Sequence, residues 1–423
     1  MKSFLSQFKV KFTGNILDPY FCLWSKLYLY RWKPRIILIT GSVGKTTMTY
    51  LLQFQFGKSQ AYHSYRANSK IGIACDLLNL PRPHLGKRWR WGLLIFYAPL
   101  KSLIAPTKSQ SIYLLEYDIY DMYSTKFFKF WLKPETAIWV NVSQAHLEFF
   151  DTQAKKLNQT SYEVYVGQLA KLVRQASQKI FALKDSSDMR DALSKVQTPI
   201  DWVGVDLIDY QLSLDKTAFI FKGVNLVFAQ PLPKVLSSSL ALMMAVVSEY
   251  NLKLKTDFSQ CHFPPSRNNL LKGIKGSYLL DSTFNAQIGG IEAIFDLFSA
   301  LNHQPKWVVV GDIIEQGQWA EEAHLKLAQQ ILDTKPDRIF LIGRRIKKYA
   351  YDVLIKQRPD IIWQNELNHE FVSQIKSEIK GGELILFKGA GYLNLLVKAL
   401  LLNPKDQDLL NLPEDLRYRK IKI

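Results

Sequence analysis

A glycine turn that ends in a lysine and two hydroxyls, Gly41-Ser42-Val43-Gly44-Lys45-Thr46-Thr47, has the residue types to hold a nucleoside triphosphate. It follows an apolar, largely β-branched run at residues 36–40, so strand, loop and helix are expected in that order. Such a loop turns backbone N–H groups onto the N-terminus of the following helix, where the helix dipole also favours anions. Lys45 would reach the β- and γ-phosphates of ATP, and the Thr46 hydroxyl would ligate Mg²⁺. The spacing is GxxGKTT, with Ile39 where the general phosphate-loop pattern has its first glycine. A short pattern of this kind can also be a plain strand–turn–helix; its place directly after a buried-type strand favours nucleotide binding.

A phosphate loop alone names no reaction, so the other strand ends have to discriminate. The run at 111–116 closes on Glu116, and parallel sheets gather ligands at the carboxyl ends of their strands. Glu116 is therefore a candidate second Mg²⁺ acid, against the plainer reading of a solvated or paired carboxylate. The run at 136–141 leads into Asn141 and then His146 and Glu148. A neutral imidazole suits a Mg²⁺ site only where the metal already holds phosphate oxygens, and a lone loop histidine is more often structural. Further along, Asp281-Ser282-Thr283-Phe284-Asn285 caps another strand, and Gly311-Asp312 a further one. Strand-end turns and helix caps would explain each of these alone. Lys388-Gly389-Ala390-Gly391 reads either as a small anion nest or as a tight turn before a helix.

Elements of the α/β class must position these groups. Strand-like runs at 36–40, 111–116, 136–142 and 179–183 alternate with helical patterns at 46–56 and 155–177. That alternation implies a mostly parallel sheet with helices on both faces. A strand-rich stretch, 201–227, and a helix at 237–250 follow. The pattern breaks at Phe263-Pro264-Pro265-Ser266-Arg267 and then resumes as a second, Rossmann-like α/β domain. The expected division is a basic N-terminal segment 1–35, an ATP-binding domain 36–265, a C-terminal domain 266–403 and a basic tail 404–423.

The 423 residues carry 55 Lys and Arg against 37 Asp and Glu, a net charge of +18. No RNA- or DNA-binding motif accompanies that charge, so an anionic substrate or an acidic membrane surface explains it better than nucleic acid. The basic N-terminus, and the basic, aromatic stretch at 82–90, admit a contact with a membrane surface or a protein. The apolar window at 91–106, interrupted by Pro99 and Lys101, is too short to span a bilayer. Three cysteines without CxxC spacing argue against a disulfide framework and against a cysteine zinc site. The N-terminus lacks the features of a signal peptide. A cytoplasmic monomer is expected.

The order of these motifs resembles that of the Mur ligase family, most closely its MurF type. ITGSVGKTT is similar to the family's ATP loop, LLEYDIYD to its Glu-containing segment and VNVSQAHLEFF to its Asn…Ala-His-Leu-Glu segment. LDSTFNA resembles an Asp-Asp-x-Tyr-Asn-Ala segment. VVVGDIIEQG with His324 resembles a Gly-Asp-Met-x-Glu-x-Gly…His segment, and LFKGAGY the closing Lys-Gly-Ser turn. The resemblance spans about residues 36–400. It implies a ligase of peptidoglycan precursor synthesis that joins an anionic cell-wall precursor to an amino acid or dipeptide through an acyl phosphate. It implies catalytic roles for Lys45, Glu116 and His146, with Thr46, Glu116 and His146 around Mg²⁺. It also implies nucleotide contacts from Gly41 to Thr47 and from Arg267, Asp281 and Asn285.

Four departures bear on the substrate side. Only 35 residues precede the first strand, where the family carries a UDP-gripping domain. The lysine that the family carbamylates falls at Thr160 or Ser161, with Lys155 and Lys156 some six residues earlier. The paired Asp reads Asp281-Ser282, and the usual Asn-Pro reads Gln287-Ile288. The paired Asn reads Asn68-Ser69. A nucleotide-binding partner or scaffold with weakened catalysis, or a ligase acting on a lipid-linked or other carboxylate, stands as the alternative.

Overall fold

Continuous β-branched and leucine runs become strands in this chain because both of their faces are covered: Ile37, Leu38 and Ile39 are all fully buried. A computed structural model describes residues 17–64, 67–81, 88–120, 124–144, 147–284, 288–314, 316, 319–389, 391–410 and 412. It divides into two units. The first comprises Met1–Val142, Phe149–Val205 and Ser238–Leu254; the second comprises Ser143–Glu148, Asp206–Ser237 and Lys255–Ile423.

The first unit runs α1 (Asp18–Trp32), β1 (Arg35–Thr40), α2 (Lys45–Phe56), β2 (Ala61–His63), α3 (Lys70–Leu77), α4 (Arg88–Ile104) and β3 (Ile112–Glu116). It continues with α5 (Ser124–Trp131), β4 (Thr136–Trp139), α6 (Asp151–Leu157), α7 (Ser161–Val173), β5 (Lys179–Leu183), α8 (Ser187–Leu193) and β6 (Ile200–Val203). Its six strands are ordered β2-β3-β1-β4-β5-β6, and every pairing is parallel. The glycine loop thus leaves the sheet between β3 and β4. Ile39 stands opposite Glu116 and Thr40 opposite Trp139.

In the second unit, β7 (Leu207–Leu212), β8 (Thr217–Phe221) and β9 (Val224–Phe228) form a small antiparallel sheet. Helix α9 (Leu236–Glu249) follows in sequence, and from Ser238 onward it belongs to the first unit. The main sheet uses β10 (Asn269–Lys272), β11 (Tyr278–Ser282), β12 (Lys306–Gly311), β13 (Arg338–Ile342), β14 (Ile362–Gln364) and β15 (Leu384–Lys388). Their order is β10-β11-β15-β12-β13-β14, with β10 antiparallel and the others parallel. Helices α10 (Ile288–Ala300) and α11 (Ala320–Thr334) are among those that connect these strands. Two cores cover the sheet, one around Phe298, Val308 and Leu341, the other around Val309, Phe340 and Phe387.

Three local expectations are corrected. The helix at 155–177 is two helices. Asn158 closes α6 in the left-handed region, and Thr160 starts α7 with a capping box in which its hydroxyl accepts from Glu163 N while Glu163 accepts from Thr160 N. The strand-rich stretch 201–227 serves two sheets, since β6 joins β5 in parallel and β7–β9 pair among themselves. Pro99 does not interrupt the apolar window, which is one helix, α4. Proline removes the N–H that would bond the carbonyl four residues back. That carbonyl belongs to Ile95, and the Tyr20 hydroxyl of α1 donates to it at 2.7 Å. Further bonds seat the same face of α4: Ser102 Oγ donates to Trp24 O at 2.7 Å, and Arg31 donates to Ser102 O at 2.6 Å.

Candidate functional site

The loop after β1 depends on two glycines in the left-handed region, Gly41 with φ 140° and Gly44 with φ 83°. A Cβ on Gly41 would stand 2.8 Å from Asn141 O, so a side chain is excluded by contact as well as by conformation. Gly44 sits at the N-cap of α2, and its carbonyl accepts the first helical bond, from Met48 N at 2.8 Å. The N–H groups of the first turn, which includes Lys45, Thr46 and Thr47, have no acceptor within the helix. They form the anion-facing end of α2.

Asn141, just past β4, fixes the loop from the side. Its Oδ1 accepts from Ser42 N at 3.1 Å and Val43 N at 2.9 Å, and its carbonyl accepts from Ser42 N at 3.2 Å. The Ser42 and Val43 amides are therefore held by Asn141, and the remaining phosphate donors come from the start of α2. Sequence reasoning marked Asn141 only as a polar strand end.

Lys45 is buried and donates to Gly41 O at 2.6 Å and Ser42 O at 3.0 Å. It also pairs with buried Asp118 at 3.2 Å. Asp118 is anchored in turn: its N–H donates to Asn68 O at 3.1 Å, and its Oδ1 accepts from Ile119 N at 3.0 Å. This counter-ion was not singled out from the sequence, although an acid two residues beyond Glu116, at the same sheet end, was a usable signal. Thr46 Oγ1 donates to Glu116 Oε1 at 2.8 Å. β3 and α2 thus bring together a hydroxyl and a carboxylate oxygen, hard donors of the kind Mg²⁺ takes, one or two from the protein with the rest from phosphate and water. Among the described residues no group of three His, Cys, Asp or Glu could hold a metal ion. His146 lies outside the described residues.

The position implied for a carbamylated lysine is occupied by capping chemistry. Thr160 caps α7, and Ser161 Oγ donates to Asp151 Oδ1 at 2.6 Å. Lys155 and Lys156 are exposed in the last turn of α6.

In the second unit, Asp281 is fully buried at the end of β11. Thr283 Oγ1 lies 2.6 Å from both Asp281 Oδ1 and Asn394 Oδ1, and Ser266 Oγ donates to the same Asn394 oxygen at 2.7 Å. Burial pushes the Asp281 carboxyl up, while the hydrogen bonds from Thr283 and the Lys388 charge pull it down. Lys388, paired in register with Ser282, donates to Ser282 Oγ at 3.2 Å. Burial, with help from the Arg267 charge, pushes its amine down to about 7, while Asp281 pulls the other way. The Arg267 guanidinium stacks 3.8 Å from the Phe284 ring centroid. His324 is a structural residue: it is buried, and its Nε2 accepts from Ile313 N at 3.2 Å while Nδ1 faces Ala320 O at 2.6 Å, which fixes the neutral tautomer. Asn285 lies outside the described residues.

Comparison with known proteins finds relatives of this chain. The Mur ligase middle domain matches residues 39–195. The UDP-N-acetylmuramoyl-tripeptide–D-alanyl-D-alanine ligase of Bacillus subtilis is 23% identical over 394 residues, covering 90% of this chain and 79% of that protein. The ligase of the same name from Borreliella burgdorferi is 25% identical over 332 residues, covering 73% of this chain and 62% of that one. In fold, the MurF ligase of Thermotoga maritima, solved with ADP, superposes with a TM-score of 0.68 at 16% identity, covering 93% of this chain and 84% of that chain. MurF from Acinetobacter baumannii gives 0.66 at 16% identity, covering 88% of this chain and 79% of that chain. A phosphate loop set between two parallel strands, and a second α/β unit, are thus shared with these proteins: residues 39–195 match the Mur ligase middle domain, and the chain has the fold of the MurF ligases.

Proposed function

We propose that the protein is an ATP-dependent carboxylate–amine ligase of MurF type, joining a peptidoglycan precursor carboxylate to an amino acid or dipeptide. The observation that carries this reading is the Thr46–Glu116 pair beside Lys45 on a glycine loop. A substrate carboxylate oxygen attacks the γ-phosphorus of ATP, the bond from that phosphorus to the bridging oxygen breaks, and ADP leaves. The amine nitrogen then attacks the acyl phosphate carbonyl, phosphate departs, and the nitrogen loses a proton to give the amide. The protein contributes mainly position and charge. Lys45 follows the transferring phosphoryl group, the first turn of α2 holds phosphate oxygens, and Asn141 keeps the loop in the shape that presents them. Thr46 and Glu116 would hold Mg²⁺, which neutralises phosphate charge when bound. A cytoplasmic setting fits the buried thiols of Cys22, Cys75 and Cys261, which form no disulfide.

Purified protein with ATP and Mg²⁺ is expected to release ADP when given a muramoyl-tripeptide precursor together with D-Ala-D-Ala. Ser161 favours one second reading, because a bonded helix-cap hydroxyl stands where a carbamylated lysine is implied. A nucleotide-binding partner with weakened catalysis would bind ATP and release no ADP with any acceptor, and that result would overturn the ligase.

A further inference from the structure

Helix α4 is apolar on both faces. Its inner face, with Leu94, Ala98 and Ser102 buried, lies on α1 and is held by the Tyr20, Ser102 and Arg31 hydrogen bonds. Its outer face carries Leu93, Phe96, Tyr97, Leu100, Leu103 and Ile104, a stripe at the three- and four-residue spacing of one helical face. These six side chains are 39% to 74% exposed. Lys101 is the single charged residue between Trp91 and Ile104. A continuous exposed apolar stripe marks an interaction surface.

Charge identifies what that surface meets. The first 115 residues contain 17 Lys and Arg and only two acids, Asp18 and Asp76, so they hold a net +15 of the chain's +18. No acid occurs from residue 77 to residue 115, while Arg82, Lys87, Arg88, Arg90, Lys101 and Lys108 flank or lie on α4 in sequence. Pairing two copies through α4 would bring two such regions together, which like charge opposes. An anionic lipid surface satisfies both the stripe and the charge. The 17 residues of α4 extend about 26 Å at the helical rise. No described helix is long and apolar enough to cross a membrane, so the contact is one in the plane of the interface.

We propose that the outer stripe of α4, with the basic residues around it, seats this protein on a membrane surface rich in anionic phospholipid. The proposal stands apart from the ligase reading, since it uses no residue of the phosphate loop.

The test is co-sedimentation of the full-length protein with phosphatidylcholine vesicles, with and without phosphatidylglycerol. Binding should need the anionic lipid, and it should weaken as salt rises from about 0.1 M to about 1 M and the screening length shrinks from ~10 Å to ~3 Å. The triple variant Phe96→Ser, Leu100→Ser, Leu103→Ser changes only outward-facing side chains, and retained ATP binding checks its fold. It should lose about tenfold or more of vesicle binding. Equal binding to neutral and anionic vesicles would overturn the proposal, as would binding that the triple variant leaves intact. A dimer that the triple variant breaks, with no vesicle binding by the parent, would assign the stripe to a second copy instead.

Discussion

Each of the two main sheets has polar residues at the carboxyl ends of its parallel strands, yet the two build different things there. In the first unit, the polar groups after β1, β3 and β4 converge on a loop with two positive-φ glycines, and a helix N-terminus opens directly from it. Lysine, hydroxyl and carboxylate there are arranged around a place for an anion. In the second unit, groups at the ends of β11 and β15 bond to one another: buried hydrogen bonds link Asp281, Thr283, Asn394 and Ser266, and Lys388 bonds Ser282. Gly389 also has a positive φ, 145°, but a Cβ there would meet the Gly311 backbone at 2.6 Å. That glycine allows two strand ends to approach closely. A shared sheet topology supplies the location for a site, and the local residues decide whether it faces a ligand or seals itself.

That contrast can be broken most sharply at Lys45. Lys45→Ala should lower ADP release by about 10³-fold or more, the scale of removing a charged group from a transferring phosphoryl. It should also cost about 3 kcal/mol of stability, because Asp118 is left buried without its partner. Adding Asp118→Asn should recover much of the stability and none of the turnover. Turnover that survives Lys45→Ala would remove the first unit's claim to the chemistry.

For the second unit the informative variable is pH. A lysine whose folded pKa is lowered to about 7 from 10.5 is penalised while charged. The folded protein therefore binds fewer protons than the unfolded chain between those values, and stability should rise as pH increases through that window. The slope should be at most about 1.4 kcal/mol per pH unit. Urea unfolding across the range reads it, and Lys388→Met should flatten it. A slope unchanged in the variant would show that Lys388 does not set it.

Asn141→Ala tests the loop alone. It frees the Val43 amide and leaves Ser42 N only the Asn141 carbonyl, and it should cost about 1–3 kcal/mol of stability or the equivalent in ATP affinity. The smallest effect belongs to Thr160→Ala, about 1 kcal/mol for a lost helix cap, with ATP affinity unchanged. A larger loss of turnover there would place the start of α7 in the catalytic machinery.

The sequence made the glycine loop legible because strand, positive-φ glycines and helix start are consecutive, and local chemistry specifies all three. Glu116 was legible for the same reason, as the last residue of an apolar run. Asn141 was not, because its role depends on which strands neighbour β1, and hydrophobic pattern carries no pairing information; Asp118 left only its position two residues past Glu116 as a signal. The same limit hid the division of 201–227 between two sheets. The split at 158–160 was readable in principle: Asn158 suits a left-handed helix end and Thr160-x-x-Glu163 is a capping box, but the apolar period on either side masked them. β2 and β14, three residues each, are too short to show a period. Lys388 reads in sequence as part of a nest or a turn, and only the structure shows its amine to be buried.

The Lys45–Asp118 pair has a kinetic consequence. A nucleotide that draws Lys45 to its phosphates has to take it from a carboxylate that the Ile119 amide already holds, on a residue whose own N–H is bonded to Asn68 O. Asp118 is then an internal competitor, and it weakens every nucleotide that uses Lys45 in proportion to the pair's strength. The spent diphosphate meets the same penalty with less charge to offset it, so the pair shortens ADP residence. Asp118→Asn should bind ADP more tightly and slow its departure, turning product release into the brake on turnover.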